Sequence, residues 1–166
     1  MIIIGDGGHA RVVRELLDEL TPKWTLDACG WKLSDDYVVI AIGDNAARKR
    51  KAETTKGEFP YFIHPNAIIS PSADIGEGSV VMAGAIIGPN AKIGRFCIVN
   101  HGATCDHDCV IGDYAHIAPG AHLCGNVFVG EGTLVGVGVG IGPNTTIPAW
   151  SLVKAARLEI VPCHTK

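Results

Sequence analysis

Apolar residues return at every sixth position along more than half of the chain, from Ile63 without a gap to Val153. The series comprises Ile63, Ile69, Ile75, Val81, Ile87, Ile93, Val99, Cys105, Ile111, Ile117, Leu123, Val129, Val135, Ile141, Ile147 and Val153. The position two residues earlier is small in nearly every repeat, as at Ala67, Ala73, Ser79, Ala85, Ala91, Cys97, Ala103, Cys109, Ala115 and Ala121. Because residues two apart on a strand share a face, both positions point inward. The spacing predicts short strands wrapped around a narrow core.

Turn residues separate these strands at matching intervals. Ile-Gly-Pro-Asn occurs at 87–90 and again at 141–144, and a Gly-Glu-Gly turn ends the segments 75–78 and 129–132. Gly and Asn tolerate the left-handed backbone angles that tight corners require. Strands and corners with a fixed period are typical of a parallel β-helix. We therefore expect a hexapeptide-repeat solenoid over residues 61–166.

The first sixty residues follow a different pattern. Residues 2–4 predict a strand, and after a glycine-rich turn residues 11–20 predict an amphipathic helix. Its apolar stripe consists of Val12, Val13, Leu16, Leu17 and Leu20. A second strand over 37–42 precedes a basic helix from residue 46 to about residue 56. This order predicts an α/β, Rossmann-like subdomain over residues 1–60.

The glycine-rich turn at residues 5–10 matches the relaxed motif G-x-G-x-x-A. Its glycines let a ligand approach the backbone, and the helix that follows offers free amides to a phosphate. Gly43 ends the second strand at the same sheet edge. The block is too short for a complete dinucleotide fold, so we expect a nucleotide-linked substrate rather than NAD. Asp27 would end a short intervening strand and bond a ribose or a base; alternatively, the glycines only permit a sharp turn.

Composition narrows the choice of partners. The chain has 166 residues, a net charge of −3 and no block of like charge longer than Arg48 to Lys51. These features argue against a nucleic-acid or membrane surface, and nothing at the N-terminus resembles a signal peptide. We expect a cytoplasmic protein with small-molecule partners. Cys97, Cys105 and Cys109 fall on inward positions of the repeat, where cysteine serves as a small hydrophobic residue.

The histidines of the repeat occupy two kinds of position. His101 and His107 lie at corners, whereas His116 and His122 lie on strands and face outward. His107 is flanked by Asp106 and Asp108, and a carboxylate can orient an imidazole and raise its basicity. His107 is therefore a candidate general base, and a plain acidic corner is the alternative.

Coil geometry places His107 and His116 far apart. If three hexapeptides close one coil, the corner at 106–108 lies opposite the strand at 115–117. The two histidines then cannot serve one site within a single chain. If both act on the same substrate, the site lies between neighbouring subunits, as a cyclic trimer would provide.

Several motifs together resemble one enzyme family, the nucleotide-linked amino-sugar N-acetyltransferases of the left-handed β-helix superfamily. The subgroup includes bacillosamine, perosamine and sialic-acid O-acetylating enzymes. The resemblance covers nearly the whole chain. Besides the hexapeptide run, it rests on residues 5–10, 41–45, Asn100, 106–109, 111–120 and 125–127.

This resemblance implies roles for the residues around the corner. His107 would take a proton from the sugar amine as it attacks the acetyl thioester, and Asp108 would set its basicity. His116 would hydrogen-bond acetyl-CoA, the Gly125 amide would meet the oxyanion, and Asn100 would lie near the sugar amine. No metal or covalent intermediate is required, and transfer would be direct within a ternary complex.

The resemblance also implies the binding surfaces. Val137 and Ala155 would contact the pantetheine arm, and the nucleotide sugar would contact Gly7, Gly8, His9 and Gly43. Two departures concern these surfaces: the segment between Asp27 and Tyr37 is short, and residues 155–166 lack the family's usual tail.

Three alternatives remain at this stage. A hydroxyl acceptor, as in sialic-acid O-acetylation, would use the same base and oxyanion site. A non-catalytic nucleotide-binding scaffold would need the glycine-rich turn but no base. A metalloenzyme of the hexapeptide carbonic anhydrase type would use several histidines, but the six-residue spacing of His116 and His122 does not fit its ligand pattern.

Overall fold

The structure, a computed structural model, describes residues 1–20 and 37–154. The N-terminal part contains β1 (Ile2–Ile4), α1 (Gly8–Leu20), β2 (Val38–Ile40) and α2 (Asn45–Thr54). The repeat contains β3 (Phe62–Ile63), β4 (Ile68–Ile69), β5 (Asp74–Ile75), β6 (Val80–Val81), β7 (Ile86–Ile87), β8 (Lys92–Ile93), β9 (Ile98–Val99), β10 (Thr104–Cys105), β11 (Val110–Ile111), β12 (His116–Ile117), β13 (His122–Leu123), β14 (Phe128–Val129), β15 (Leu134–Val135), β16 (Gly140–Ile141), β17 (Thr146–Ile147) and β18 (Leu152–Val153).

The repeat folds into a left-handed parallel β-helix of about five turns, which confirms the predicted solenoid. Each strand from β3 to β15 pairs in parallel with the strand three places later, as Thr104 pairs with His122. Three flat sheets result. Sheet A contains β3, β6, β9, β12, β15 and β18; sheet B contains β4, β7, β10, β13 and β16; sheet C contains β5, β8, β11, β14 and β17.

The two inward positions of each repeat form the core of the solenoid. The apolar position and the small position two residues earlier pack together along its whole length. Ser79 and Thr133 are fully buried small residues, and their hydroxyls donate to the carbonyls of Gly94 and Pro148, each at 2.8 Å. Their polar atoms are therefore satisfied inside the core. The thiol of Cys97 is buried here, and burial raises its pKa to about 12, so this cysteine is inert at neutral pH.

Each corner of the triangular coil contains residues with a left-handed backbone, and the type of residue differs from corner to corner. We call the corner between sheets B and C the amide corner; its residues are Asn90, Asp108, Asn126 and Asn144, with φ of 57° or 58°. The aromatic corner, between sheets C and A, contains Phe96, Tyr114 and Trp150 with φ of 53° to 60°, together with Gly78 and Gly132. The third corner is occupied by Gly84, Gly102, Gly120 and Gly138.

The N-terminal part packs on the outer face of sheet A. Strands β1 and β2 form a two-stranded parallel sheet, and α1 buries its apolar stripe against Phe62, Val80 and Ile98. Helix α2 begins after Asp44, whose side chain accepts a hydrogen bond from the Ala47 amide at 2.7 Å. Residues 1–20 and 37–60 contain two strands and two helices, which does not confirm the Rossmann-like subdomain that we expected over residues 1–60. The short strand expected near residue 26 lies outside the described residues.

Within residues 1–20 and 37–154, no helix has the length and apolar character needed to cross a membrane.

Candidate active site

The amide corner holds His107 and Asp108 in direct contact. The turn between β10 and β11 exposes both side chains, and His107 Nδ1 lies 2.8 Å from Asp108 Oδ2. Because a carboxylate only accepts, Nδ1–H donates and Nε2 of the neutral ring is left as an acceptor. This hydrogen bond is the main cause that raises the pKa of His107, and the charge of Asp106 adds to it. A raised pKa, and an Nε2 that makes no hydrogen bond to the described residues, are the properties of a general base.

Asn90 contacts the same carboxylate from the preceding coil. Its Nδ2 donates to Asp108 Oδ1 at 3.2 Å, while its own backbone N–H donates to Ser72 Oγ at 3.0 Å. Together with the His107 bond, the Asn90 bond lowers the pKa of Asp108. Our reading of the sequence missed Asn90. Its signal was the spacing, since corner residues eighteen apart lie one above the other.

Gly125 lies directly against the His107 ring from the following coil. A Cβ atom at this position would overlap the imidazole, so only glycine leaves room for the ring as placed. Within the described part of the chain, the Gly125 N–H donates no hydrogen bond, while its carbonyl accepts one from the Asn144 N–H at 3.1 Å. The structure thus brings together His107, Asp108 and Gly125, three residues that the sequence assigned to one site.

A second group of polar residues lies between sheet A and the N-terminal part. Asn100 Nδ2 lies 3.1 Å from His116 Nε2, which therefore accepts this bond. Burial, together with the charge of Arg48, lowers the pKa of His116 to about 3 and that of His9 to about 4. Both rings are neutral at physiological pH. His9 Nε2 is buried without a hydrogen-bond partner among the described residues.

A cavity of about 680 Å³ opens beside this group. It is lined by the glycine-rich turn with His9 and by residues 41–43. Gly7 and Gly8 are exposed at the start of α1, where helical amides lack intrahelical partners. Gly5 has φ of 135°, and a Cβ there would overlap the Ala41 carbonyl, so the close approach of the two strand ends requires glycine. The predicted residues Gly7, Gly8, His9 and Gly43 all line this cavity.

The two groups of residues occupy different sides of the solenoid, as the coil geometry predicted. His107 lies at the corner of sheets B and C, and His116 lies on sheet A. Val137 is 64% exposed on the last full coil. Asp27 and Ala155 lie outside the described residues, so their expected contacts stay predictions. Among the residues that are described, no three His, Cys, Asp or Glu side chains converge to hold a metal ion.

Comparisons with known proteins agree on one group of enzymes. The family model "Bacterial transferase hexapeptide (six repeats)" matches residues 72–107. UDP-N-acetylbacillosamine N-acetyltransferase of Bacillus subtilis is 41% identical, over 49% of this chain and 50% of its own. The chain thus matches half the length of this curated relative.

Two solved structures are similar over most of both chains. The acetyltransferase domain of PglB from Neisseria gonorrhoeae has a TM-score of 0.83 and 35% identity, covering 93% of this chain and 87% of its own. PerB from Caulobacter crescentus, solved in complex with CoA and GDP-perosamine, has a TM-score of 0.82 and 38% identity, covering 93% and 85%. Both similarities extend through the N-terminal part as well as the solenoid.

Proposed function

The chain belongs to the hexapeptide-repeat family of nucleotide-linked amino-sugar N-acetyltransferases, and on that premise we propose that it moves acetyl from acetyl-CoA to a nucleotide-linked 4-amino-4,6-dideoxy sugar. The acceptor is the 4-amino group. The observation that carries the proposal is the hydrogen-bonded pair of His107 and Asp108 with Gly125 against the ring. The complex of PerB with CoA and GDP-perosamine supports the choice of both substrates.

The mechanism needs one base and one oxyanion donor. The sugar nitrogen attacks the thioester carbon, so a C–N bond forms, and the C–S bond then breaks to release CoA. His107 Nε2 accepts the proton that the nitrogen loses and returns one to the departing thiolate, while Asp108 stabilises the imidazolium. The Gly125 amide donates to the carbonyl oxygen as it becomes negative. No metal and no covalent enzyme intermediate enters this scheme.

The two parts of the chain divide the substrates between them. Residues 1–60 form the nucleotide-sugar domain, with Gly7, Gly8, His9 and Gly43 around the nucleotide and Asp27 at the ribose or base. Residues 61–166 form the acetyl-CoA-binding and catalytic domain. There Asn100 lies near the sugar amine, and His116, Val137 and Ala155 hold acetyl-CoA. The cavity beside the first turn of α1 supports this division.

We place the active sites between the subunits of a homotrimer. His107 and His116 lie on different sides of one solenoid, so a shared site requires a neighbouring copy. Sheets B and C also expose apolar side chains that a neighbour would cover, namely Ile68, Ile86, Val110 and Phe128. The proposal includes a cytoplasmic location, with which the four free cysteines of the described residues are consistent.

A thiol-release assay tests this function directly. Acetyl-CoA is offered with UDP-, GDP- and dTDP-linked 4-amino-4,6-dideoxy sugars, and the wild type is compared with His107→Ala. We expect the wild type to turn over the sugar linked to one of the three nucleotides. The rate should fall about 10²- to 10⁴-fold in His107→Ala, the usual contribution of a general base.

His122→Ala is the comparison variant, because His122 is an exposed imidazole on the outer face of sheet B whose ring bonds Thr104 rather than a carboxylate. It should lose far less turnover than His107→Ala. Activity that survives in His107→Ala would remove the base from the mechanism. Thiol release with sugar hydroxyls and with none of the amino sugars would assign O-acetylation instead.

A further inference from the structure

Arg48 is a buried cation with an unusual set of partners. Its side chain is 1% exposed and is the largest of the fully buried side chains described. Within residues 1–20 and 37–154, its guanidinium donates to carbonyl oxygens and to one side-chain amide oxygen, and to no carboxylate. Burying a charge without a counter-ion is costly unless hydrogen bonds compensate it. In Arg48 these hydrogen bonds supply that compensation.

The hydrogen bonds of Arg48 join the cavity to the solenoid. Nη1 donates to the carbonyls of Ile42 at 2.9 Å and Gly43 at 3.1 Å, which belong to the cavity wall. Nη2 donates to the carbonyl of Tyr114 at 2.7 Å, two residues before His116. Nε donates to the Phe96 carbonyl at 2.8 Å. Because a guanidinium is planar and rigid, it fixes these carbonyls relative to one another.

The charge of Arg48 also acts on the cavity. It contributes, after burial, to the lowered pKa values of both His9 and His116. Its own pKa is lowered to about 10, so the guanidinium stays protonated at neutral pH. Neutral oxygens satisfy its hydrogen bonds, and, against the lowering by burial, the charge of Asp44 raises the pKa of Arg48 in turn. The cavity lining itself carries the carboxylate of Asp6, so the buried guanidinium is the positive charge that an anionic ligand would meet from the solenoid side.

We propose that Arg48 is a positioning residue that holds the nucleotide-sugar cavity in register with the His116–Asn100 pair and supplies the positive charge that retains the diphosphate there. This inference rests on the proposed function, since it takes the cavity as the nucleotide-sugar site. It predicts two separable effects. The charge governs affinity for the diphosphate. The planar guanidinium governs the alignment of the cavity with His116 and Asn100 that acetyl transfer needs.

Lys49 provides a matched control on the same helix. Its Nζ lies 2.6 Å from Glu131 Oε1 and sits over the rings of Tyr114 and Trp150, at 5.7 and 5.5 Å from their centroids. Lys49 thus also anchors α2 to the solenoid, but its bonds reach neither the cavity wall nor His116. A variant at Lys49 reports the effect of looser docking alone.

The experiment compares Arg48→Met, Arg48→Lys and Lys49→Met with the wild type. Calorimetry measures the binding of UDP, GDP and dTDP, and thiol release gives kcat and both KM values. For Arg48→Met we expect about tenfold or greater loss of nucleoside diphosphate affinity, because the attraction of the buried charge for the diphosphate is lost. The KM for the sugar should rise in proportion, and by a larger factor than the KM for acetyl-CoA, which His116 helps to bind.

Arg48→Lys separates the effect of the positive charge from that of the planar guanidinium. If Arg48→Met fails to fold, this variant alone tests the inference. It keeps the charge but not the planar guanidinium, so diphosphate affinity should stay within about threefold of wild type while kcat falls about tenfold. Lys49→Met should change neither quantity. Equal effects of the Arg48 and Lys49 variants would overturn the inference, as would wild-type kcat in Arg48→Lys. A wild type that binds no nucleoside diphosphate would instead refute the proposed function.

Discussion

The amide corner and the aromatic corner are built on the same backbone turn and serve opposite purposes. Both place non-glycine residues at φ between 53° and 60°. His107 and Asp108 are exposed at the amide corner, whereas Phe96 and Tyr114 are 5% and 6% exposed at the aromatic corner. One corner thus presents reactive side chains, and the other buries Phe96 and Tyr114 against α2, while Trp150 on the last coil is 48% exposed.

The residue types explain how each corner tolerates a left-handed backbone. Asn and Asp accept this conformation at little cost because their short polar side chains bond locally. An aromatic residue carries the full penalty of about 1–2 kcal/mol, so packing must offset it. The rings of Phe96 and Tyr114 stack at 5.5 Å, and Phe59 meets Phe96 edge to face at 5.1 Å. Among the described residues, the two corners differ in whether the N-terminal part packs over them.

The largest effect should come from removing the centre of the aromatic corner. Tyr114→Gly deletes a buried ring but relieves the left-handed strain, so we expect a net loss of about 2–4 kcal/mol in the free energy of unfolding. Urea unfolding followed by circular dichroism measures it. Tyr114→Phe is the control and should lose less than about 1 kcal/mol, because the ring stays in place. A loss below about 1 kcal/mol in Tyr114→Gly would show that the ring does not offset the strain.

The comparison of the corners also shows what sequence could reveal. The six-residue period predicted the solenoid and its inward positions because every coil repeats the same packing. The opposition of His107 and His116 followed from the number of hexapeptides in a coil. The aromatic corner escaped notice because its members, Phe96, Tyr114 and Trp150, are too far apart in the chain to form a visible motif.

The N-terminal part was harder to predict, since its contacts are tertiary. Arg48 lies in a run of basic residues that is typical of a solvent-exposed helix face. The structure instead buries it against the aromatic corner. Helix α1 begins at Gly8, three residues before the predicted start, because the glycine-rich turn itself enters the helix. Asn90 was missed because its partner Asp108 belongs to the next coil.

A smaller effect is expected within the amide corner from Asp108→Asn. The neutral amide no longer raises the pKa of His107, so the acid limb of the pH–rate profile should move to lower pH, toward the ordinary imidazole value. A weaker base should also lower the alkaline plateau of kcat by about tenfold. The ratio of variant to wild-type rate therefore rises as the pH falls. The profile of kcat between about pH 5.5 and 9 measures both changes, and an unshifted limb would show that Asp108 does not tune the base.

The smallest effect tests whether amide-corner residues of successive coils support one another, as the stacked rings of Phe96 and Tyr114 do at the aromatic corner. Asn90→Gly keeps the left-handed turn and removes only the amide that bonds Asp108 Oδ1 at 3.2 Å. Because this bond is exposed, its loss should cost little stability. A less firmly held carboxylate should lower kcat by about threefold, leave both KM values unchanged and lower the pKa of His107.

Asn144→Gly is the matched control, because Asn144 occupies the same corner with the same φ of 57° but makes no side-chain bond to Asp108. If only Asn90→Gly changes the rate and the titration of His107 followed by NMR, the corner residues of successive coils cooperate in orienting the base. If the two variants behave alike, the pair of His107 and Asp108 works alone on an ordinary turn. The two corners would then differ in organisation as well as in chemistry, since the aromatic rings support one another from coil to coil.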